Sequence, residues 1–452
     1  MKKLIGLLVA VMGVFVMSCN EIPEEISDFS TVRLVWNDDP STTISVIWDG
    51  KATEDASVYY GTKDQGRKYW KYSESQAPYR KLDFYAMNTN YTKLSDLEPD
   101  KAYYFVIKDS ERLSDRYWFR TAPDQPKAFT FMAGGDTKSD GDALEAGRST
   151  NRAVGKLRPL FVLFNGDFTS GNGTDADNWK KWMTDWNSMT TTQDGRMTPV
   201  VPVHGNHENG NRGNLNIIFD SPYQHNDSSN IYYSLNVGGD LLHVIALNSE
   251  IETGGLQRDW LEEDMKKNQT STFKIAGYHK PFWPHHSGKR ENLYMYKQWA
   301  FLFQDYGLSL SFDADSHIHK ITYPLRADTT SENSIMGYVR DDVNGTMFIG
   351  EGSWGAHPRA TDDDKLWTMA SGSFNQVKWL HVFPEENGAE AHIDIYTIKT
   401  ASYDEEGNVT LYNDEVEALT EDTRFTVPEG LELFINEEGK DFVRFPYKES
   451  NK

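Results

Sequence analysis

Between Thr31 and Thr121 apolar and polar residues alternate in short runs. Examples are Val32-Arg33-Leu34-Val35-Trp36, Ile44-Ser45-Val46-Ile47-Trp48, Ser57-Val58-Tyr59-Tyr60 and Tyr103-Tyr104-Phe105-Val106. β-Branched and aromatic residues alternating with polar ones suit half-buried strands, and Asp-Pro, Asp-Gly and Tyr-Gly pairs punctuate them as turns. This stretch, residues 31–122, is predicted to be an all-β antiparallel sandwich. Ala122-Pro123-Asp124-Gln125-Pro126 is a stiff linker.

Beyond the linker the pattern changes. Phe129-Thr130-Phe131-Met132-Ala133, Leu160-Phe161-Val162-Leu163-Phe164 and Pro199-Val200-Val201-Pro202-Val203 are nearly continuous apolar runs, as strands buried on both faces require. Trp179, Trp182, Met183 and Trp186 fall at helical spacing within Asp177 to Met189, and Leu256, Trp260, Leu261 and Met265 do so within Leu256 to Lys267. Further strands are predicted around Leu241 to Ile245, Phe273 to Ala276, Leu308 to Phe312 and Thr346 to Ile349. Strands interleaved with helices predict an α/β domain over residues 127–400. Residues 401–452 form an acidic extension to which the pattern assigns no role.

The N-terminus changes the picture of compartment. Lys2 and Lys3 precede an apolar run, Leu4 to Met17, too short to cross a bilayer and suited to a secretory signal over residues 1–18. Val16-Met17-Ser18-Cys19 resembles the lipobox of bacterial lipoproteins, which implies a lipid on Cys19 and an anchor in the cell envelope, at the outer membrane, on its periplasmic or surface face. Residues 19–30 then read as a solvated tether. Cys19 is the only cysteine in 452 residues, so the body of the chain must hold together without disulfides. A net charge of −22 disfavours general adhesion to nucleic acid or anionic membrane, and no nucleic-acid partner is expected. It does not exclude an anionic substrate, because bound cations reverse the local potential. Oligomeric state is not legible.

Candidate chemistry sits where the apolar runs stop. Gly134-Gly135-Asp136, Asn165-Gly166-Asp167, Gly205-Asn206-His207-Glu208, Gly277-Tyr278-His279 and Ser316-His317-Ile318-His319 follow five successive predicted strands. That edge of an α/β sheet is where ligands bind. Carboxylate, amide and imidazole donors together suit Zn, Fe or Mn, and Asp167 is the candidate bridge between two ions.

This series resembles the calcineurin-like metallophosphoesterases. With the β-domain in front, whose Leu97-Glu98-Pro99…Tyr103 is similar to the tyrosine corner of fibronectin type III domains, it resembles the purple acid phosphatase branch. The resemblance implies a two-sheet catalytic domain flanked by helices and two divalent or trivalent metal ions. One ion would take Asp136, Asp167 and His319, and the other Asp167, Asn206, His279 and His317. His207 would stabilise or protonate the leaving oxygen. His285 and His286 are candidates for a further histidine near the phosphate, His285 being favoured as catalytic and His286 as substrate-binding. The sequence also departs from the family. Ser170 stands where the branch has a metal-binding Tyr, so no purple colour is expected. Lys138 stands where other branches have a His, as either a phosphate-binding cation or a solvated one. Ser316 replaces the Gly before His-x-His.

The function expected is hydrolysis of phosphate mono- or diesters, outside the cytoplasm, by a metal-activated water. Two alternatives remain: a glycan- or partner-binding surface lipoprotein with a degenerate metal domain and, within the same chemistry, a nucleotidase. If Cys19 carries the anchor, Cys19→Ala should move the exported protein from the detergent phase to the aqueous phase in a Triton X-114 partition.

Overall fold

The computed structural model describes residues 29, 31–50, 55–84, 87–138 and 141–446, so the signal, Cys19 and nearly all of the tether lie outside the described residues. The alternating N-terminal runs form strands in two layers. One is a four-stranded sheet in the order Glu74–Gln76, Ser57–Gly61, Ala102–Lys108, Tyr117–Arg120. The other contains Arg33–Val35, Ile44–Trp48, Thr89–Leu94 and Arg80–Leu82. Tyr103 accepts a 2.8 Å hydrogen bond at its hydroxyl from the Glu98 amide, the corner bond expected from the sequence.

The second layer does not stop at the domain edge. Val35 pairs in parallel with Val200, so the N-terminal strands continue into the sheet of the α/β domain and form eleven strands in all. This joins two units that the linker at 122–126 separates in sequence. It also explains why Ile44–Trp48 is buried along its whole length rather than on alternate residues. Helical segments of the second unit reach over it: the Arg33 guanidinium donates to Ile218 O at 2.7 Å, and Asn187 donates to Val32 O at 2.9 Å.

Within the α/β domain the parallel strands Phe129–Gly134, Val162–Phe164 and Val200–Pro202 lie side by side in the large sheet. Leu242–Ala246, Phe273–Gly277, Leu310–Phe312 and Met347–Gly350 lie in a second sheet of seven strands. The two sheets pack face to face, with the Phe131 and Phe312 rings 6.2 Å apart edge-on. The helix Ala176–Thr190 starts at Asp175, whose carboxylate accepts from the amides of Asp177 and Asn178. Its tryptophans 179, 182 and 186 are buried against Phe164, Phe168 and Phe219. They are core residues, as their spacing suggests.

Three helices had no clear signature in the pattern, Gly141–Leu157, Asn214–Phe219 and Leu293–Asp305. The first turns Ala143, Ala146, Ala153, Val154 and Leu157 inward, a face made largely of small residues. The expected boundary at residue 400 also gives way. Strand His392–Tyr403 crosses it, and Val409–Leu411 and Phe442–Pro446 from the C-terminal stretch both pair with that strand.

Tyr103→Phe should lower stability by about 1 kcal/mol, the usual net worth of one internal hydrogen bond, as read by denaturant unfolding.

Candidate metal centre

Each buried strand stops just short of a residue with a ligating atom. Phe129–Gly134 ends two residues before Asp136, Phe273–Gly277 two before His279, and Val162–Phe164 three before Asp167. The chain then turns at once, and Asp136, Asp167, Asp315 and His317 all take left-handed backbone angles, with φ of 64°, 55°, 69° and 57°. Such angles are uncommon outside glycine and mark positions that the surrounding structure over-determines. Two glycines leave the room required. A Cβ on Gly166, whose φ is +86°, would sit 2.6 Å from Gly205 N, and one on Gly352, at φ +85°, would sit 1.8 Å from Asp136 Oδ2.

The turns bring five of the expected ligands together. His279 Nε2 lies 3.3 Å from Asp167 Oδ1 and 3.2 Å from Asn206 Oδ1. His317 Nε2 lies 3.1 Å from Asp136 Oδ1, and ligating atoms of Asp136, Asp167 and His279 lie within 4.8 Å of one another. The fit to a cation is specific. His279 Nδ1 is 2.8 Å from Asn165 O, a contact in which Nδ1 donates, so Nε2 is the nitrogen that faces the oxygens and would bind a cation in exchange for its proton. Asp136 is fully buried, yet its Oδ1 accepts no hydrogen bond. Carboxylate, amide and imidazole atoms converging in this way suit metal ions.

Asp167 is placed to use both oxygens. Its Oδ1 accepts from the His207 amide at 2.8 Å, and its Oδ2 is 3.4 Å from Lys138 Nζ. Burial opposes its charge, but His279, Lys138 and His207 hold the carboxyl well below the usual range. Burial likewise opposes a charged His279, and Asp167 with Asp315 outweighs it, holding the imidazole well above its usual value. His207 points Nδ1 at the carbonyls of Ser170 and Gly171, 3.1 and 3.0 Å away, and its side chain is about a third exposed at 32%. Glu208 acts as a brace. Its carboxylate accepts from the amides of Gly205, Asp167 and Phe168 at 2.9 to 3.0 Å, tying two ligand turns together.

Three expected residues are elsewhere. His319 begins the strand His319–Thr322, with Nδ1 2.5 Å from Lys378 Nζ and its ring 4.6 Å from Phe434. His285 is fully buried between Glu351 Oε1, 3.1 Å from Nδ1, and Thr368 Oγ1, 2.7 Å from Nε2. That placement corrects its reading as a group facing the phosphate. His286 rests on a loop, with Nδ1 3.0 Å from Ala360 O and 3.3 Å from Asp362, so it too makes no contact with the cluster. Lys138 is not a solvated cation, because it pairs with Asp167.

The structure adds Asp315, Lys289 and Arg359. Asp315 Oδ1 is 3.7 Å from His279 Nε2 and 2.5 Å from Lys289 Nζ, and Arg359 donates to Asp315 O at 2.9 Å. A cleft of about 580 Å³ opens on Asn206 and Asp315, lined by Lys280, Lys289 and Arg290 among others. A second opening of about 470 Å³ is lined by Lys138, His317, His357 and Arg359.

Residues 29–121 match the model for the purple acid phosphatase N-terminal domain, and residues 130–319 that for the calcineurin-like phosphoesterases. The chain is 25% identical over 295 residues to a probable purple acid phosphatase of Arabidopsis thaliana, covering 61% of this chain and 65% of that protein. It is also 25% identical over 315 residues to an uncharacterized protein of Mycobacterium tuberculosis, covering 60% and 58%. The chain thus spans less than two thirds of the length of either relative. Its structure is similar to that of a purple acid phosphatase from yellow lupin (Lupinus luteus) seeds, with a TM-score of 0.66 at 15% identity over 84% of this chain and 73% of that one. It is also similar to PhoD, with a TM-score of 0.56 at 11% identity over 89% and 94%. The architecture is therefore an all-β N-terminal domain followed by an α/β domain that matches the calcineurin-like phosphoesterase model over residues 130–319.

Behind the cluster lies a buried ionic layer. Lys320 Nζ is 2.7 Å from Asp313 Oδ2 and 2.9 Å from Glu351 Oε1, and Glu351 also faces His285. All three charged groups are buried, so the lysine is the counter-ion of both carboxylates. Lys320→Met should destabilise the fold by about 3–5 kcal/mol, because it strands two buried carboxylates, and thermal unfolding would measure this.

Proposed function

We propose that this chain is a phosphoesterase of the purple acid phosphatase type, hydrolysing phosphate mono- or diesters at a two-metal centre outside the cytoplasm. The observation that carries the reading is the convergence of ligating atoms of Asp136, Asp167, Asn206, His279 and His317 on one buried spot, with Asp136 Oδ1 accepting no hydrogen bond. Asp136, Asp167 and His317 would hold one ion, with Asp167, Asn206 and His279 holding the other. When bound, the ions supply an activated water at neutral pH and stabilise charge at the reacting oxygens.

The protein's own residues do the rest. Lys138, Lys280, Lys289, Arg290 and Arg359 place five cations around the openings of a chain whose net charge is −22, which favours an anionic ester there. The carbonyls of Ser170 and Gly171 keep the His207 proton on Nδ1, so proton exchange with substrate takes place at Nε2, the nitrogen nearer Asp167. An imidazole there can protonate a departing alcohol. Glu208 keeps the turns of Asp167 and Asn206 in register. Export, with a lipid on Cys19, is supported by the N-terminal pattern of Lys2, Lys3 and the apolar run before it.

The lysines paired with Asp167 and Asp315 support a second reading, a domain in which cationic side chains have displaced the ions and the chain only binds. Metal content separates the two. The phosphoesterase reading expects about two ions per purified chain and activity that a chelator removes and added metal restores. Asn206→Ala should reduce hydrolysis of p-nitrophenyl phosphate to background with the fold retained. His207→Gln should lower kcat by about 10²–10⁴-fold on alkyl esters and less on nitrophenyl esters, whose leaving group needs no proton. Wild-type rates in Asn206→Ala would sink the assignment.

A further inference from the structure

After strand Leu310–Phe312 three donors recur at alternate positions: Asp315, His317 and His319. Spacing alone cannot say which two reach the ions, and the family pattern points to the two histidines. The geometry points to a different pair. We infer that Asp315, not an imidazole, completes the second metal site, that His317 serves the first, and that His319 binds neither. This rests on the two-metal reading above and deepens it.

Asp315 is pinned at the centre. Its amide donates to Asp136 Oδ2 at 2.9 Å, and its Oδ1 stands 3.7 Å from the same His279 Nε2 that faces Asp167 and Asn206. Three oxygens thus surround one imidazole nitrogen, the arrangement of a four-donor cation site. His317 is committed to the other side of the cluster by its 3.1 Å approach to the unpartnered Asp136 Oδ1. Both residues take left-handed backbone angles, and their side chains meet His279 and Asp136. The chain has become extended by His319, which pairs with Gly372 and is held by Lys378, Phe374 and Phe434.

The exchange has a chemical consequence. Asp167, Asn206 and Asp315 offer oxygen, with His279 the single nitrogen donor, so the second site is harder than one with two imidazoles. Oxygen-rich sets favour Mn²⁺ or Mg²⁺ relative to Zn²⁺. The added negative charge has a partner in Lys289, whose Nζ lies 2.5 Å from Asp315 Oδ1.

The test is metal binding itself. Full-length protein, purified in detergent, would be stripped with chelator and titrated with Mn²⁺ by calorimetry, with elemental analysis of the reloaded chain. Wild type and His319→Gln should each take about two ions. Asp315→Asn, which keeps the left-handed turn accessible, should weaken one of them by about tenfold or more. Should that variant fold poorly, Asp315→His should still take two ions, with the preference moved toward Zn²⁺. Two ions bound as tightly in Asp315→Asn as in wild type would overturn the inference. So would loss of an ion in His319→Gln with its circular dichroism unchanged. A wild type that binds two ions but hydrolyses no ester would overturn the phosphoesterase reading and leave this ligand assignment standing.

Discussion

Two buried carboxylates, Asp136 and Asp167, face one small space together with two imidazoles and an amide oxygen. Like charges brought together in a low-dielectric interior repel each other. Much of the domain serves to keep them there. Main-chain amides of Asp315 and His207 bond the carboxylates from behind, Asn165 O fixes the His279 tautomer, and Glu208 clamps three amides of the ligand turns. The left-handed angles at four site residues, Asp136, Asp167, Asp315 and His317, are the backbone side of the same constraint.

The rest of the architecture stiffens this edge. Face-to-face sheets anchor the strands that deliver the ligands, and the tryptophan-rich helix Ala176–Thr190 packs beneath the second of them. Pairing of Val35 with Val200 makes the N-terminal domain part of the sheet rather than a tethered module. The C-terminal stretch acts in the same way. Phe434 covers His319, and two late strands close the sheet beyond His392–Tyr403. Its acidic composition gave no hint of this, because its partners are residues far away in sequence.

Charge is layered. Closest to the solvent, lysines and arginines ring the openings of an otherwise acidic chain. In the middle stand the carboxylates. Behind them Lys320 neutralises Asp313 and Glu351, with His285 alongside. The candidate histidine expected near the phosphate therefore belongs to the innermost layer, where it supports the turn rather than meeting substrate.

Much was legible from sequence by itself. The alternating and continuous apolar runs determined where strands of either kind would form, because side-chain period and two-sided burial are local consequences of residue order. The same runs located Asp136, Asp167, Asn206, His207 and His279, since a ligand at the end of a buried strand is placed by the strand itself. What lies beyond a turn was not legible. Asp315, His317 and His319 have the same spacing, and only the left-handed bend at 315 and 317, with the sheet pairing at 319, decides which of them face the centre. The helix Gly141–Leu157 and the joining of the two sheets were decided by tertiary structure for a related reason. A small-residue face and an edge strand acquire meaning only from the surface they meet.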